Sequence, residues 1–326
     1  MIASPCFTKS HRARSPARLA LLAATALVFA LTSVASAQQS FKTAEEAAEA
    51  LASAARSDNR GGLLTVLGRG AADIISSGDP VDDAATRQRF VTAYDAKHQI
   101  AMEGDSKAVM IIGPDDFPFP IPLVRKDGAW QFDAAAGREE ILVRRIGRNE
   151  LAAIQAALAF VDAQHEYAEK GIGGPGVHAQ RIVSQAGKKD GLYWPAQSGE
   201  DESPLGDLAA AAAAAGYRAG QGRRPYHGYF YKILTRQGAN APGGALDYVV
   251  RGKMIGGFAL VAHPAEYGVS GIMTFIVNHQ GIVYQKDLGR DTGRLAIAMT
   301  RFDPDRTWQR VPETALPQAG AQGTSR

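Results

Sequence analysis

Six histidines follow residue 37: His98, His165, His178, His227, His263 and His279. Neutral imidazole suits two kinds of chemistry, proton transfer near neutral pH and metal ligation. A metal pair carried on one helix needs two ligands within about one turn of each other. No two of these histidines stand that close, so the spacing points to no metal and to no cofactor. His165 falls on the stripe Leu151, Ile154, Leu158, Val161, Ala168 and reads as a hydrogen-bonded core residue. His279 lies in Asn278-His279-Gln280-Gly281 and reads as a solvated turn residue. His227 and His263 sit among aromatic residues of sheet-forming segments. With Glu266 they form the candidate catalytic set, a histidine acting as base. No partnered nucleophile accompanies them, which favours half-buried, hydrogen-bonded histidines.

Other motifs dissolve on inspection. Gly171-x-Gly173-x-x-Gly176 matches a dinucleotide fingerprint in letters only. It follows a helix rather than a strand and has Pro175 inside it, so it reads as a linker. Asp291-Thr292-Gly293 matches the aspartic protease triplet but occurs once, where two carboxylates are needed. Asp291 is better placed as the cap of a helix carrying Leu295, Ile297 and Met299. After residue 37 there is no Gly-x-Ser-x-Gly elbow, Ser-x-x-Lys pair, P-loop or calcium loop. Scattered carboxylates such as Glu166, Asp247 and Glu266 leave a polymer hydrolase as the alternative reading.

Tyr193, Trp194, Tyr226, Tyr229 and Tyr267 are candidate ligand contacts, because an apolar ring with a polar tip suits glycan and peptide surfaces. Strand parity places Tyr229 and Tyr231 on one face with His227. One face of a half-covered sheet is normally buried, so core filling is the favoured role.

The elements that would position these residues are α+β. Thr43 and Glu46 open a helix with the apolar face Ala47, Ala50, Leu51, Ala54, and Arg60-Gly61-Gly62 is expected to end it. Leu63 to Leu67 is a short apolar segment. Asp79 and Pro80 start a second helix running to about His98. Strands are expected at 100–103, 107–112, 121–126 and 129–132, the last two joined through Asp127-Gly128. A long helical pattern spans 138–170, with a break expected at Gly147 to Asn149. A loop-rich stretch, an alanine-rich helix at 208–215 and antiparallel strands from Tyr226 follow. The expected organisation is residues 38–147 as an N-terminal α+β domain, 148–312 as a long helix packed on an antiparallel sheet, and 313–326 as a disordered tail.

The first 37 residues have the three parts of a secretory signal. Lys9, Arg12, Arg14 and Arg18 precede an apolar run from Leu19 to Leu31, and Ala35-Ser36-Ala37 offers cleavage after Ala37. The apolar run is shorter than the ~20 residues that span a bilayer, so no stable membrane span is expected after cleavage. Without that segment, thirty-two Lys and Arg face thirty-three Asp and Glu, which gives no basis for nucleic-acid binding. The lone cysteine, Cys6, also lies there, so the remaining chain has no thiol chemistry and suits an oxidising compartment, periplasmic or extracellular.

Several blocks carry a family likeness. Gly187-Lys188-Lys189-Asp190-Gly191-Leu192-Tyr193-Trp194-Pro195, Ser203-Pro204-Leu205-Gly206, Tyr226-His227-Gly228-Tyr229, the stretches between Gly256 and Gly289, and Asp303-Pro304-Asp305…Trp308 stand in one order. In these the chain resembles the bacterial domain-of-unknown-function 2950 family. The resemblance implies an exported bacterial protein and brings no established activity. The element order of the N-terminal half is similar to the cone-shaped nuclear transport factor 2-like fold. The C-terminal half resembles pilin-like globular heads through Ala163-Gln164-x-x-Tyr167 and the Gly271–Phe275…Gly281–Tyr284 hairpin. It departs from filament subunits in having no prepilin peptidase site and no apolar front half to its long helix. The resulting expectation is an exported envelope protein, structural or binding a ligand or partner such as an envelope protein or cell-wall polymer.

Overall fold

In the computed structural model, which describes residues 38–196, 201–217 and 224–312, the chain is α+β. The expected leader at 1–37 and tail at 313–326 lie outside the described residues. Among those residues no helix is long and apolar enough to cross a membrane.

Helix α1 (Ala44–Arg56) begins where Thr43 Oγ1 accepts from the Glu46 N–H at 3.1 Å. The Glu46 carboxylate reaches back to the Lys42 N–H at 3.0 Å, one residue earlier than a capping box would place it. Arg60-Gly61-Gly62 does not end this helix. It opens α2 (Arg60–Leu67), because the Asn59 side chain accepts from the Gly62 N–H at 2.9 Å and caps the new turn. A short α3 (Ala72–Ile75) leads to α4 (Pro80–Ala96), capped by Asp79 with Pro80 in the first turn.

Strands β1 (His98–Met102), β2 (Lys107–Ile112), β3 (Phe117–Pro118), β4 (Leu123–Lys126) and β5 (Ala129–Phe132) form an antiparallel sheet. Its order is β1-β2-β4-β5, with β3 paired to β2. Asp127 and Gly128 both take positive φ, at 50° and 81°, which is what a two-residue hairpin turn demands. The helices bury Leu51, Leu63, Val66 and Tyr94 against Met110, Leu123, Trp130 and Phe132 in one hydrophobic cluster.

Helix α5 (Ala134–Glu169) has 36 residues and runs unbroken through Gly147. At 1.5 Å per residue it is roughly 54 Å long. The expected break fails because Gly147 is exposed and helical, while Asn149 turns its amide inward to donate to Ser270 O at 2.9 Å instead of capping a new helix. The buried face overlaps the expected stripe at Ile154 and Val161 but is centred to one side of it. Ala153, Ala157, Phe160, Gln164 and Tyr167 are buried, whereas Leu151 is 49% exposed and His165 is exposed. Ile154 and Val161 of the expected stripe are buried and Leu158 is half-buried, so only Leu151 and His165 turn out while small alanines let the helix approach the sheet closely.

After α6 (Gly206–Ala214) come β6 (Tyr229–Leu234), β7 (Arg236–Gln237), β8 (Leu246–Asp247), β9 (Val249–Val250), β10 (Lys253–Met254), β11 (Ala259–Pro264), β12 (Met273–Asn278) and β13 (Val283–Asp287). Then follow α7 (Thr292–Ala298), β14 (Arg301–Phe302) and β15 (Gln309–Arg310). The main sheet has the order β15-β13-β12-β11-β6 and every pair in it is antiparallel. All six residues of β11 are buried, which requires cover on both faces, and α5 and α7 both pack against it. Asp291 precedes α7 without a side-chain capping bond. Its carboxylate pairs with Arg294 at 3.2 Å at the surface, because a 3₁₀ turn already leads into the helix.

Two glycines in α5 should respond oppositely to alanine. At Gly147 nothing lies within 4 Å of an added Cβ, so Gly147→Ala should stabilise by about 0.5–1 kcal/mol. At Gly137 an added Cβ would stand 2.4 Å from Pro120 O, so Gly137→Ala should destabilise by about 1–3 kcal/mol. Urea denaturation of the two variants measures both; equal effects would mean the helix is not seated as described.

Candidate functional site

Three groupings of polar side chains stand out, and each draws on residues far apart in the sequence. The first centres on the Asp79 carboxylate, which is 1% exposed. Its Oδ1 accepts from the N–H groups of Val81 (3.1 Å) and Asp82 (3.3 Å), the exposed donors of the α4 N-terminus. Its Oδ2 accepts from Tyr217 Oη at 2.8 Å and from the Gly228 N–H at 2.9 Å. Tyr217 Oη in turn accepts from the His227 N–H at 3.1 Å. One buried carboxylate thus ties the N-terminal helices to the turn that opens the main sheet.

That turn carries three of the candidate residues. Tyr226 and Tyr229 exchange backbone hydrogen bonds, and His227 and Gly228 between them have φ of 48° and 72°. His227 is therefore a left-handed turn residue and does not extend the strand parity of Tyr229 and Tyr231. The Tyr226, Tyr217 and His227 rings pack together, with centroids 4.3 to 5.6 Å apart. Burial lowers the His227 pKa, with Asp82 and Asp79 opposing the shift. Burial raises Tyr217, and the adjacent Asp79 charge adds to it. Tyr217 is the protonated donor to Asp79, burial holds the Tyr226 hydroxyl protonated as well, and the lowered His227 favours neutral imidazole.

The remaining candidates are dispersed. Tyr229 is fully buried and donates to Met273 O at 2.9 Å. His263 is 3% exposed in β11, with Nδ1 3.0 Å from Pro264 O. Glu266 is exposed, and its backbone bonds to Ser270 form a tight turn. No hydrogen bond joins Glu266 to His227. Tyr267 donates to Asp287 at 3.1 Å. Trp194 is buried in the C-terminal core, with its indole N–H on Asp201 O at 3.2 Å, while Tyr193 is half-buried beside it.

The second grouping went unread in the sequence. His165, His178 and His279 surround Phe258, with ring centroids 5.3, 4.8 and 6.2 Å from it. His279 is half-buried and not solvated, because its turn folds against Tyr248 and Phe258. A carbonyl only accepts, so His178 Nδ1 must donate to Met254 O (3.2 Å) and His165 Nε2 to His279 O (3.2 Å). Burial lowers the pKa of both His178 and His279, and the neighbouring His165 adds to each shift. The rings face a phenyl group rather than a common point. Among the described residues no set of three or more His, Cys, Asp or Glu is arranged to hold a metal ion.

The third grouping is a cavity of about 480 Å³ lined from α1, α2, α3, α4, β2, β3 and α5. Leu51, Leu67, Ile74, Phe90, Phe119 and Ile141 supply much of its wall. Arg145, only 6% exposed, also lines it. Its guanidinium donates to Asp73 O at 2.6 Å and to Ile74 O, the two middle carbonyls of α3. Asp83 shares the wall, but its carboxylate is held by the Ser77 N–H and hydroxyl at 2.8 to 3.1 Å, and burial raises its pKa. The hint available in the sequence was an arginine in the row Leu142, Arg145, Asn149, at helical spacing on a face that is otherwise buried.

These features define an α+β protein with an apolar, arginine-bearing cavity. The chain belongs to the family described as protein of unknown function DUF2950, whose model matches residues 38–311. No curated protein and no solved structure matches the chain.

The Asp79 junction and the histidine cluster can each be tested by stability. Asp79→Ala removes a helix cap and strands two buried donors, and should cost about 3 kcal/mol; Tyr217→Phe removes one bond and should cost about 1 kcal/mol. Chemical denaturation would measure both, and a neutral Asp79→Ala would show that the junction is not held by this carboxylate. For the histidines the variable is pH. Folded-state values of His178 and His279 lie below the ordinary 6.5, so the unfolded chain binds protons first as pH falls. Their contribution is complete above about pH 6.5 and is lost as pH drops through the lowered folded values. The denaturation midpoint should fall between about pH 7 and pH 5, and less steeply in a His178→Asn, His279→Asn variant. An unchanged slope in that variant would assign the pH dependence elsewhere.

Proposed function

We propose that this is an exported, non-enzymatic ligand-binding protein of the bacterial envelope that holds a small, largely apolar molecule in the cavity beside α5. The cavity carries this reading. Its volume of about 480 Å³ falls in the roughly 300–1,000 Å³ range of small-molecule sites, and its wall is mostly aliphatic and aromatic with a few polar groups. A space of this size accepts one small molecule rather than a polymer chain.

Export is supported by the basic, apolar and small-residue parts of the leader, and by a family match that begins at Gln38, next to the expected cleavage site. Binding is preferred to hydrolysis because the groups suited to acid–base work are committed elsewhere. Tyr217 and Asp79 bond each other, and Asp83 is occupied by Ser77. His227 sits in a packed turn with no nucleophile hydrogen-bonded to it.

The neutral fluorescent probe N-phenyl-1-naphthylamine tests the reading. The mature protein should bind it saturably, one to one, with enhanced emission. Thr86 is exposed and lines the cavity, so Thr86→Trp should plug the opening without disturbing the core and weaken binding at least about tenfold. No saturable binding, or equal binding by the plugged variant, would remove the cavity as the site.

A further inference from the structure

Beyond a cavity for some apolar molecule, the charges around it specify a class of ligand. Five arginines (Arg87, Arg89, Arg144, Arg145 and Arg148) line this space, against two aspartates, Asp83 and Asp115. Four of the five have local partners. Arg87 pairs with Asp58 at 2.6 Å, Arg144 with Glu140 at 2.5 Å and Arg89 with Asp82 at 3.7 Å. Arg148 reaches Asp82 only at 4.0 Å and is 57% exposed, so that contact is a weak one.

Arg145 differs from all of these. It is the buried member, and its bonded partners are two neutral carbonyl oxygens. Among the described residues no carboxylate lies within 4.0 Å of its guanidinium. A guanidinium has five N–H donors, and the two carbonyls leave donors over. Burying a cation without a contacting anion is costly, and the cost is recovered when an anion arrives with hydrogen-bonding geometry. Burial lowers the Arg145 pKa, and the charges of Asp83, Asp82 and Asp73, none of them in contact with it, oppose that shift.

We infer that the cavity binds a single-chain anionic amphiphile, a long-chain fatty carboxylate, with its carboxylate on Arg145 and Arg148 and its acyl chain along the Leu51, Phe90 and Phe119 wall. This rests on the ligand-binding reading above and adds the head group to it. The same two arginines would discriminate against an uncharged chain of equal length. A carboxylate accepts two parallel hydrogen bonds from a guanidinium, whereas an alcohol leaves the buried cation uncompensated.

The experiment is competition against N-phenyl-1-naphthylamine on the mature protein, with oleate and oleyl alcohol as paired competitors below their aggregation concentrations. Oleate should displace the probe with an apparent affinity at least about tenfold tighter than oleyl alcohol. Arg145→Gln should abolish that preference. Because Arg145 also braces α3, the exposed Arg148→Gln serves as a second variant that should fold normally and narrow the preference several-fold, read as the ratio of oleate to oleyl alcohol affinity within that variant. If the probe binds but oleate and oleyl alcohol compete equally, the carboxylate inference is overturned and the cavity reading survives. Persistence of the preference in both arginine variants would overturn the inference in the same way. If the probe itself does not bind, both readings fall together.

Discussion

The arrangement depends on one helix serving two cores. Ala134–Glu169 contributes Ile141 and its N-terminal turns to the cluster built on Leu51 and Trp130, and then Ala153 to Tyr167 to the cluster built on Phe258 and Phe275. At 36 residues it is about three times the length of an ordinary globular helix. A rigid rod of that kind fixes where the cavity wall ends and where the main sheet begins. Arg145 and Asn149 sit one turn apart on it, one turned to the Asp73 and Ile74 carbonyls of α3 and the other to Ser270 near the start of β12. The helix is therefore both the spine of the molecule and one wall of its candidate binding site.

The polar groups buried along this spine solve a problem the helix creates. Where two cores meet, backbone donors and acceptors from several elements are removed from water and must be satisfied. Asp79 meets four donors with a single carboxylate, Gln164 exchanges two bonds with Ala179 at 2.8 Å, and Glu150 accepts from the N–H groups of Ile272 and Met273. The tyrosine and histidine rings near them, whose types suggest chemistry, are committed to packing and to such bonds. Arg145 is the exception, a buried charge hydrogen-bonded only to carbonyls, and that makes it informative about ligand.

Much of the fold was legible from local signals with a direct physical cause. The caps at Thr43 and Asp79, the Asp127-Gly128 turn and the alternating strands each depend on neighbours within a few residues. What stayed hidden depends on partners distant in the chain. Gly147 and Asn149 look like a helix break until Ser270 supplies a reason for the amide to face inward. The buried stripe of α5 is centred on Ala153, Ala157 and Phe160, so Leu151 at the edge of the expected stripe turns out while Ile154 and Val161 stay in. His165, His178 and His279 are 13 or more positions apart and meet only through the ring of Phe258. The cavity is a property of seven elements together, and of its wall only the misplaced arginine left a trace in the sequence.

The turn at His227 and Gly228 carries a further consequence for how this chain can change over time. An added Cβ at Gly228 would lie 2.5 Å from the Asn149 amide, and the backbone there already needs a positive φ. The same amide is pledged to Ser270 O, and the Gly228 N–H to Asp79. Four positions spread from Asp79 to Ser270 are locked to one another by contact. Random drift cannot explore them singly: a family alignment should show Asp79, Asn149, Gly228 and Ser270 held or exchanged as a set, while the exposed face of the same helix wanders freely.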